Sequence, residues 1–284
     1  MDRTIALPKI LLLPLRGLGQ IMLQENAATG LLFLIGIAWA SPVMALAALL
    51  AVCCGTATAI LLKYDRAEIE QGLYGFSAAL VGVALVLFRG MGPLVWLAIV
   101  AGSVGTAIVQ RFFIARKIPV FTLPFVLVTW VLLGVLPVPT GLPDTDPMAA
   151  GPDHFRTAAV ARGFGQVIFQ DNLFSGILFM VAVALHSRIA VVFGVFGALL
   201  GALLAVWIGA PADNVMLGLY GYNAVLCAIA FAGTKARNYL LFLLSVPLAV
   251  LIGHAMMDLP FPQLTFPFVV ASCFGLLLEK VTRD

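Results

Sequence analysis

The chain has 284 residues, of which 62% are hydrophobic and only 10% charged, and its mean hydropathy is +1.10. A soluble domain carries about 25% charged residues and could not hide so much apolar area from water, so the composition implies a polytopic membrane protein. The net charge of +3 is small and the basic residues sit in short loops, which argues against a nucleic-acid partner.

In chain order, Met1 to Pro14 lacks a small-residue cleavage site after a long apolar core, so no removable signal is expected. An amphipathic stretch at 8–24 comes first. Apolar runs follow at 27–40, 43–62, 72–88, 91–110 and 120–137. The segment PVPTGLPDTDPMAAGPDHF (137–155) is rich in Pro, Gly and Asp and reads as a linker. A second amphipathic stretch lies at 156–170, before runs at 173–186, 189–209, 215–232, 239–257 and 264–279. A spanning helix needs about 20 apolar residues, so the shorter runs must tilt, thin the bilayer or join a partly inserted neighbour. The four cysteines (Cys53, Cys54, Cys227, Cys273) all fall in apolar runs without CxxC spacing, and are expected to be buried, inert thiols.

The two halves repeat each other. LRGLGQIMLQENAATGLLF (15–33) returns as ARGFGQVIFQDNLFSGILF (161–179) with nine of nineteen residues identical. GLYGFSAAL (72–80) returns as GLYGYNAVL (218–226) at the same shift of 146, and TLPFV (122–126) echoes as TFPFV (265–269), shifted by 143. Three collinear matches mean two copies of one unit. The expected division is a first repeat at 1–137, an extracytoplasmic linker at 138–157 and a second repeat at 158–284. In a hydrophobic chain such duplication points to transport, with the path between the repeats.

Basic residues set the topology. With the N-terminus inside, the inside loops hold Lys63 and Arg66; Arg111, Arg116 and Lys117; Arg188; and Lys235 with Arg237. The outside segments carry almost no positive charge, apart from Arg89 and Arg156. This pattern predicts ten crossings with both termini cytoplasmic. Five crossings per copy is an odd number, so the second copy must be inverted, which puts Arg16 and its mate Arg162 at opposite faces.

The runs hold no mid-helix Asp, Glu, Lys or Arg, whereas ion-coupled carriers usually keep an intramembrane charge. His254 lies deep in a run without a twin and reads as a packing histidine rather than a relay. A neutral cargo and passive movement follow. Pro124 and Pro267 lie inside apolar stretches, and a proline leaves the carbonyl four residues earlier without a helical donor, here at Val120 and Gln263. Those carbonyls would give a path rich in acceptors; alternatively the prolines simply start helices. Thr122 and Thr265 either cap those starts or offer hydroxyls to cargo. Gln20 and Gln166 suit a polar, uncharged substrate, or else join helices by hydrogen bonds. Asn26 and Asn172 read as N-caps, and Gly194, Gly197 and Gly201 as a close-packing seam between helices or protomers.

At these residues the sequence resembles the urea transporter family of bacteria and animals. The resemblance rests on RGxGQ, on GLYG(F/Y)(N/S)A in both halves and on TLPFVLVTW (122–130), and covers nearly the whole chain. It implies an all-α polytopic membrane protein of two inverted repeats, each with five transmembrane helices plus a partly inserted pore helix. It also implies a homotrimer with a pore in each protomer, in a cell (inner) membrane. Urea would slide between flat side chains while its N–H groups donate to carbonyls. The family's slot residues correspond here to Phe76 and Tyr222, with Leu80 and Leu226 beside them. The residues against each slot correspond to Gln20 and Gln166, then Val167, and the aromatic three residues on to Phe169. The sequence departs from the pattern at Leu23, where an aromatic is usual, and at Ser77, the mate of Asn223. Position 166 is a glutamate in some relatives.

The resulting expectation is a passive urea channel, needing no cofactor or metal, with urea and the bilayer as its partners. Rival readings are a channel for ammonia, water or short amides, an ion-coupled carrier, and a membrane enzyme. No twin histidines, paired NPA motifs or catalytic cluster supports these.

Overall fold

The computed structural model describes residues 7–138 and 155–281, and no strand occurs among them. Most of the linker, at 139–154, lies outside the described residues, as do Arg3 and Arg283. The chain divides into two compact units, Met1–Val138 and Pro139–Asp284. The first holds α1 (Leu7–Gly19), a tight turn at Gln20–Met22, α2 (Ala27–Ala40), α3 (Pro42–Leu61), α4 (Arg66–Glu70), α5 (Phe76–Arg89), α6 (Pro93–Ala115) and α7 (Leu123–Val135). The second holds α8 (Phe155–Gln166), α9 (Leu173–His186), α10 (Arg188–Trp207), α11 (Ala212–Met216), α12 (Tyr222–Ala230), α13 (Ala236–Met256) and α14 (Phe266–Val281). The order of elements is the same in both.

Local chemistry sets the boundaries in the same way in each unit. Asn26 Oδ1 accepts from the N–H groups of Ala28 and Thr29 to start α2, and Asn172 Oδ1 accepts from Ser175 to start α9. Ser41 then ends α2 and begins α3, its hydroxyl accepting from Met44 N, and Ser187 does the same for α9 and α10 with Ala190 N. A side-chain acceptor at each start satisfies N–H groups that have no intrahelical partner. Pro42 follows Ser41 in the first turn of α3, where its missing N–H costs nothing.

Four helices, α3, α6, α10 and α13, have the length and apolarity to cross a membrane alone, at 20, 23, 20 and 21 residues. A further candidate is the pair formed by residues 11–22 and α2, bent by 78°. The helices α2, α5 and α9, at 14 residues each, and α7, at 13, reach only about 20 Å at 1.5 Å per residue. The ten apolar runs are therefore not ten full-length helices. The caps at Asn26, Ser41, Asn172 and Ser187 cut α2 and α9 short, and the GLYG turns consume the first residues of the runs beginning at 72 and 215. The outward residues remain apolar: Leu61, Leu97, Val135 and Trp207 are each more than two-thirds exposed, which water would not tolerate over so large a surface. The chain is a multi-pass membrane protein.

In each unit the first long helix meets the second backbone to backbone. A β carbon on Gly30 would lie 1.7 Å from the Leu15 carbonyl oxygen, and one on Gly176 would lie 2.0 Å from that of Ala161. The glycine ladder has a similar use inside the second unit. Gly194 meets Phe164 and Ile229, Gly197 meets Ala224 and Ala228, and Gly201 meets Ala224 and the Tyr220 carbonyl. The ladder is thus a seam of α10 against α8 and α12, within one unit, and supplies no face for a second protomer. Of the cysteines only Cys227 is buried; Cys53 is exposed, because its position on α3 turns outward, where a small apolar thiol needs no partner.

Candidate functional site

The RGxGQ helix ends dock onto the GLYG turns. Arg16 Nη1 donates to the Glu70 carbonyl at 2.9 Å, and Arg162 Nη1 to the Met216 carbonyl at 3.3 Å. Each guanidinium therefore caps the C-terminal end of a five-residue helix, where a cation also offsets the partial negative charge. Gly72 and Gly218 follow with φ of +81° and +79°, and a β carbon on either would lie 2.6 Å from the backbone nitrogen of Gly17 or Gly163. Only glycine fits both demands. Gln20 then donates from Nε2 to the Gln71 carbonyl at 2.9 Å, so its amide N–H₂ serves the docking of α1 on the turn. Gln166 is half-buried like Gln20.

Leu23 and Phe169, equivalent positions of the two repeats, both adopt the left-handed backbone region, at φ 61° and 58°. The next residues, Gln24 and Gln170, are buried and fold back, their Nε2 atoms donating to the Met22 carbonyl at 2.7 Å and the Ile168 carbonyl at 2.8 Å. Sequence reasoning passed over these two glutamines. Their signal was the second identical Gln in the repeated stretch.

The prolines sit at helix starts. Pro124 lies in the first turn of α7 and Pro267 in that of α14, so neither interrupts a helix. The carbonyls expected to be left over are also taken: Val120 O accepts from Leu123 N at 2.8 Å, and Gln263 O from Phe266 N at 3.1 Å. The chain reaches each helix through a tight three-residue turn, and that turn supplies the donor the proline lacks. The unpaired acceptor nearby is instead the side-chain Oε1 of Gln263, buried with no hydrogen-bond donor. Thr122 and Thr265 are 3% and 1% exposed. Thr122 takes the N-cap position of α7, yet its side chain makes no cap hydrogen bond, so capping does not explain it. Between each carbonyl and threonine stands a residue that no motif marks. Phe121 and Leu264 both have φ of 47°, a strained conformation for a side chain with a β carbon.

α5 packs against α7 and α12 against α14, so Phe76 and Tyr222 each share a helix pair with one threonine loop. In the second unit the link is explicit. The Tyr222 hydroxyl donates to the Leu264 carbonyl at 2.6 Å, Asn223 Nδ2 reaches the same oxygen at 3.3 Å, and Asn223 Oδ1 accepts from Phe268 N at 3.2 Å. In the first unit Phe76 has no hydroxyl, and the Ser77 hydroxyl is buried without a partner. Phe76 and Tyr222 are almost closed off, at 6% and 7% exposure, and Leu80, Leu226 and Val167 are fully buried.

Charged groups stay at the helix ends. Arg89 donates to the carbonyls of Leu133 and Leu136 and so caps the end of α7, which gives this basic residue a local role at a helix end. Arg111 pairs with Glu68 at 3.1 Å, and Glu68 also accepts from the Tyr74 hydroxyl. At the position matching Arg111, His254 Nδ1 lies 3.1 Å from the Tyr220 hydroxyl. His254 is exposed in the last turn of α13 rather than deep in a span, and it is satisfied by that tyrosine. Among the described residues no three His, Cys, Asp or Glu side chains gather in a metal-binding group.

Comparison with known proteins places these features in context. A family model described as "Urea transporter" matches residues 11–280. The protein named Urea transporter 1 in Ovis aries is 30% identical over 293 residues, an alignment covering 93% of this chain and 76% of that protein. Urea transporter 1 of Mus musculus is 29% identical, with the same coverage of each chain.

Proposed function

The chain belongs to the urea transporter family, and on that premise we propose that it is a passive channel conducting urea and close analogues down their gradient. It is a transporter, not an enzyme. The observation that supports the channel reading is that neither threonine loop, at 120–123 or 263–266, carries a charged residue, which leaves uncharged acceptors and flat side chains to meet the cargo.

Urea is planar and neutral, with four N–H bonds and one carbonyl. Stripped of water it loses hydrogen bonds worth about 1–3 kcal/mol for each group left unpaired, so the path must replace them. The Gln263 Oε1 and the Thr122 and Thr265 hydroxyls supply acceptors, Gln20 and Gln166 add amide groups, and Phe76 and Tyr222 supply flat walls. Leu23 and Phe169 flank the helix ends, backed by Val167, Leu80 and Leu226. A metal cation would find too few charges to offset its dehydration. Ion coupling would find no carboxylate or lysine in the middle of any apolar run to act through.

The finer organisation belongs to the same proposal. The two units are inverted repeats of five spans, each with a partly inserted helix, and the termini are cytoplasmic in an inner cell membrane. The odd number of apolar runs per copy and the basic inside loops support this. Three copies assemble, each with its own pore, on the strength of the family resemblance. Stopped-flow swelling of proteoliposomes in a urea gradient tests the function. Swelling many times faster than in protein-free vesicles is expected, and equal rates would refute it.

A further inference from the structure

In the second unit α10 and α13 lie side by side, and Phe193 packs on Tyr239 and Phe242 with ring centroids 5.4 Å and 5.6 Å apart. An apolar groove runs between the two helices, with a cavity volume of about 670 Å³. Phe193 and Phe242 are its buried floor, while Val192, Phe196, Leu203 and Tyr239 stand exposed along it. Val192 to Leu203 covers about 16 Å at 1.5 Å per residue, close to half of a hydrocarbon core about 30 Å thick. The groove therefore has the length of one leaflet.

One end of it is basic. Phe193 stands five residues after Arg188 and Tyr239 four after Lys235, so their contact puts the starts of α10 and α13 at the same end of the groove. Arg188 and Lys235 are exposed, and among the described residues neither has an ion-pair partner. Arg237, two residues after Lys235, is already met by Glu279 at 2.8 Å. The repeat itself does not demand this arrangement. The matching positions of the first unit hold Pro42, Gly92 and Leu94 in place of the three cations, and Ala47 and Ile99 in place of Phe193 and Phe242.

From this juxtaposition we propose that the groove is a binding site for an anionic phospholipid of the surrounding bilayer, with an acyl chain along Phe193, Phe196 and Phe242 and the phosphate at Arg188 and Lys235. An acyl chain fills an apolar groove without leaving any polar group unpaired. Cations at the ends of membrane helices attract anionic headgroups, and two that lack a carboxylate partner are free to do so. A second copy of this chain is the poorer fit, since it too carries a net charge of +3. The site does not depend on what the chain conducts.

Native mass spectrometry of the full chain in mild detergent counts bound lipid, with phosphatidylglycerol and phosphatidylcholine of the same acyl chains as probes. The wild type is expected to hold phosphatidylglycerol about tenfold more tightly, as two cations near one phosphate give after screening. R188Q/K235Q changes only exposed side chains and is expected to erase that preference. K63Q/K117Q removes as many exposed charges from the first unit and is expected to keep it. V192W fills the groove from its exposed rim and is expected to lower retention of both lipids. Equal binding of the two lipids by the wild type overturns the proposal, and so does a preference that survives in R188Q/K235Q. A preference lost equally in K63Q/K117Q would mean general attraction to basic surface, which also overturns it. If V192W instead splits the assembly and leaves lipid binding unmoved, the groove is a contact between copies and the proposal fails.

Discussion

Thr122 and Thr265 occupy matched, almost fully buried positions at the starts of α7 and α14. A hydroxyl there can exchange hydrogen bonds with a desiccated urea molecule. Thr122→Val together with Thr265→Val keeps the shape and removes both groups, and is expected to slow urea by about tenfold, the loss that roughly 1.4 kcal/mol of hydrogen bonding represents. If the hydroxyls served only the helix starts, the double variant would lose stability and slow every permeant equally. A well-folded variant with unchanged urea flux would remove these residues from the path. Gln263→Leu tests the neighbouring acceptor: its unpaired Oε1 predicts a several-fold slower urea flux without loss of thermal stability, because no hydrogen bond within the protein is broken. Legibility was mixed for these residues. The threonines were visible in the repeated T(L/F)PF, but the acceptor was misassigned to the backbone of Val120 and Gln263. A proline removes a donor from an ideal helix, and nothing in the sequence showed that each helix would begin at that point through a tight turn that restores it. The strain at Phe121 and Leu264 was invisible, since neither is a glycine or asparagine.

Helices and turns were more legible, because their signals are local. Asn26 and Asn172 were read as caps and are caps, and the apolar runs locate all ten of the corresponding helices to within a few residues, save that the GLYG segments are turns. Lengths were less legible. An apolar run does not reveal where a serine such as Ser41 will end one helix and begin another. Crossing geometry was also hidden: that Gly30 lets α2 lie on the Leu15 carbonyl is a tertiary fact. Gly30→Ala should therefore destabilise the fold by about 3 kcal/mol, the upper end for an overpacked site that must move backbone. Asn26→Ala, which loses only the cap of α2, should cost about 1 kcal/mol. Thermal unfolding in mild detergent measures both. Equal effects would mean that the bent pair does not depend on close backbone contact.

The molecule as a whole is a duplicated, sparsely charged membrane chain, and its composition alone excluded soluble and nucleic-acid-binding classes. Duplication was legible because both copies kept the residues that make turns and close approaches: Gly17 and Gly163, Gly72 and Gly218, Arg16 and Arg162. What the second copy changed, Tyr222 for Phe76 and Asn223 for Ser77, gained meaning only once their hydrogen bonds were known. Three copies are expected per assembly. Mass measurement in mild detergent should give a trimer, and monomers or dimers alone would count against it; the glycine ladder cannot be its interface, since α10 uses those residues against α8 and α12.

The central claim is that urea moves passively along an uncharged path. Labelled urea uptake into proteoliposomes measures this directly, carried to its end point with and without imposed proton or sodium gradients. The account predicts that the inside concentration rises to the outside value and stops there in every case. Accumulation of urea above the outside concentration when an ion gradient is imposed would contradict it.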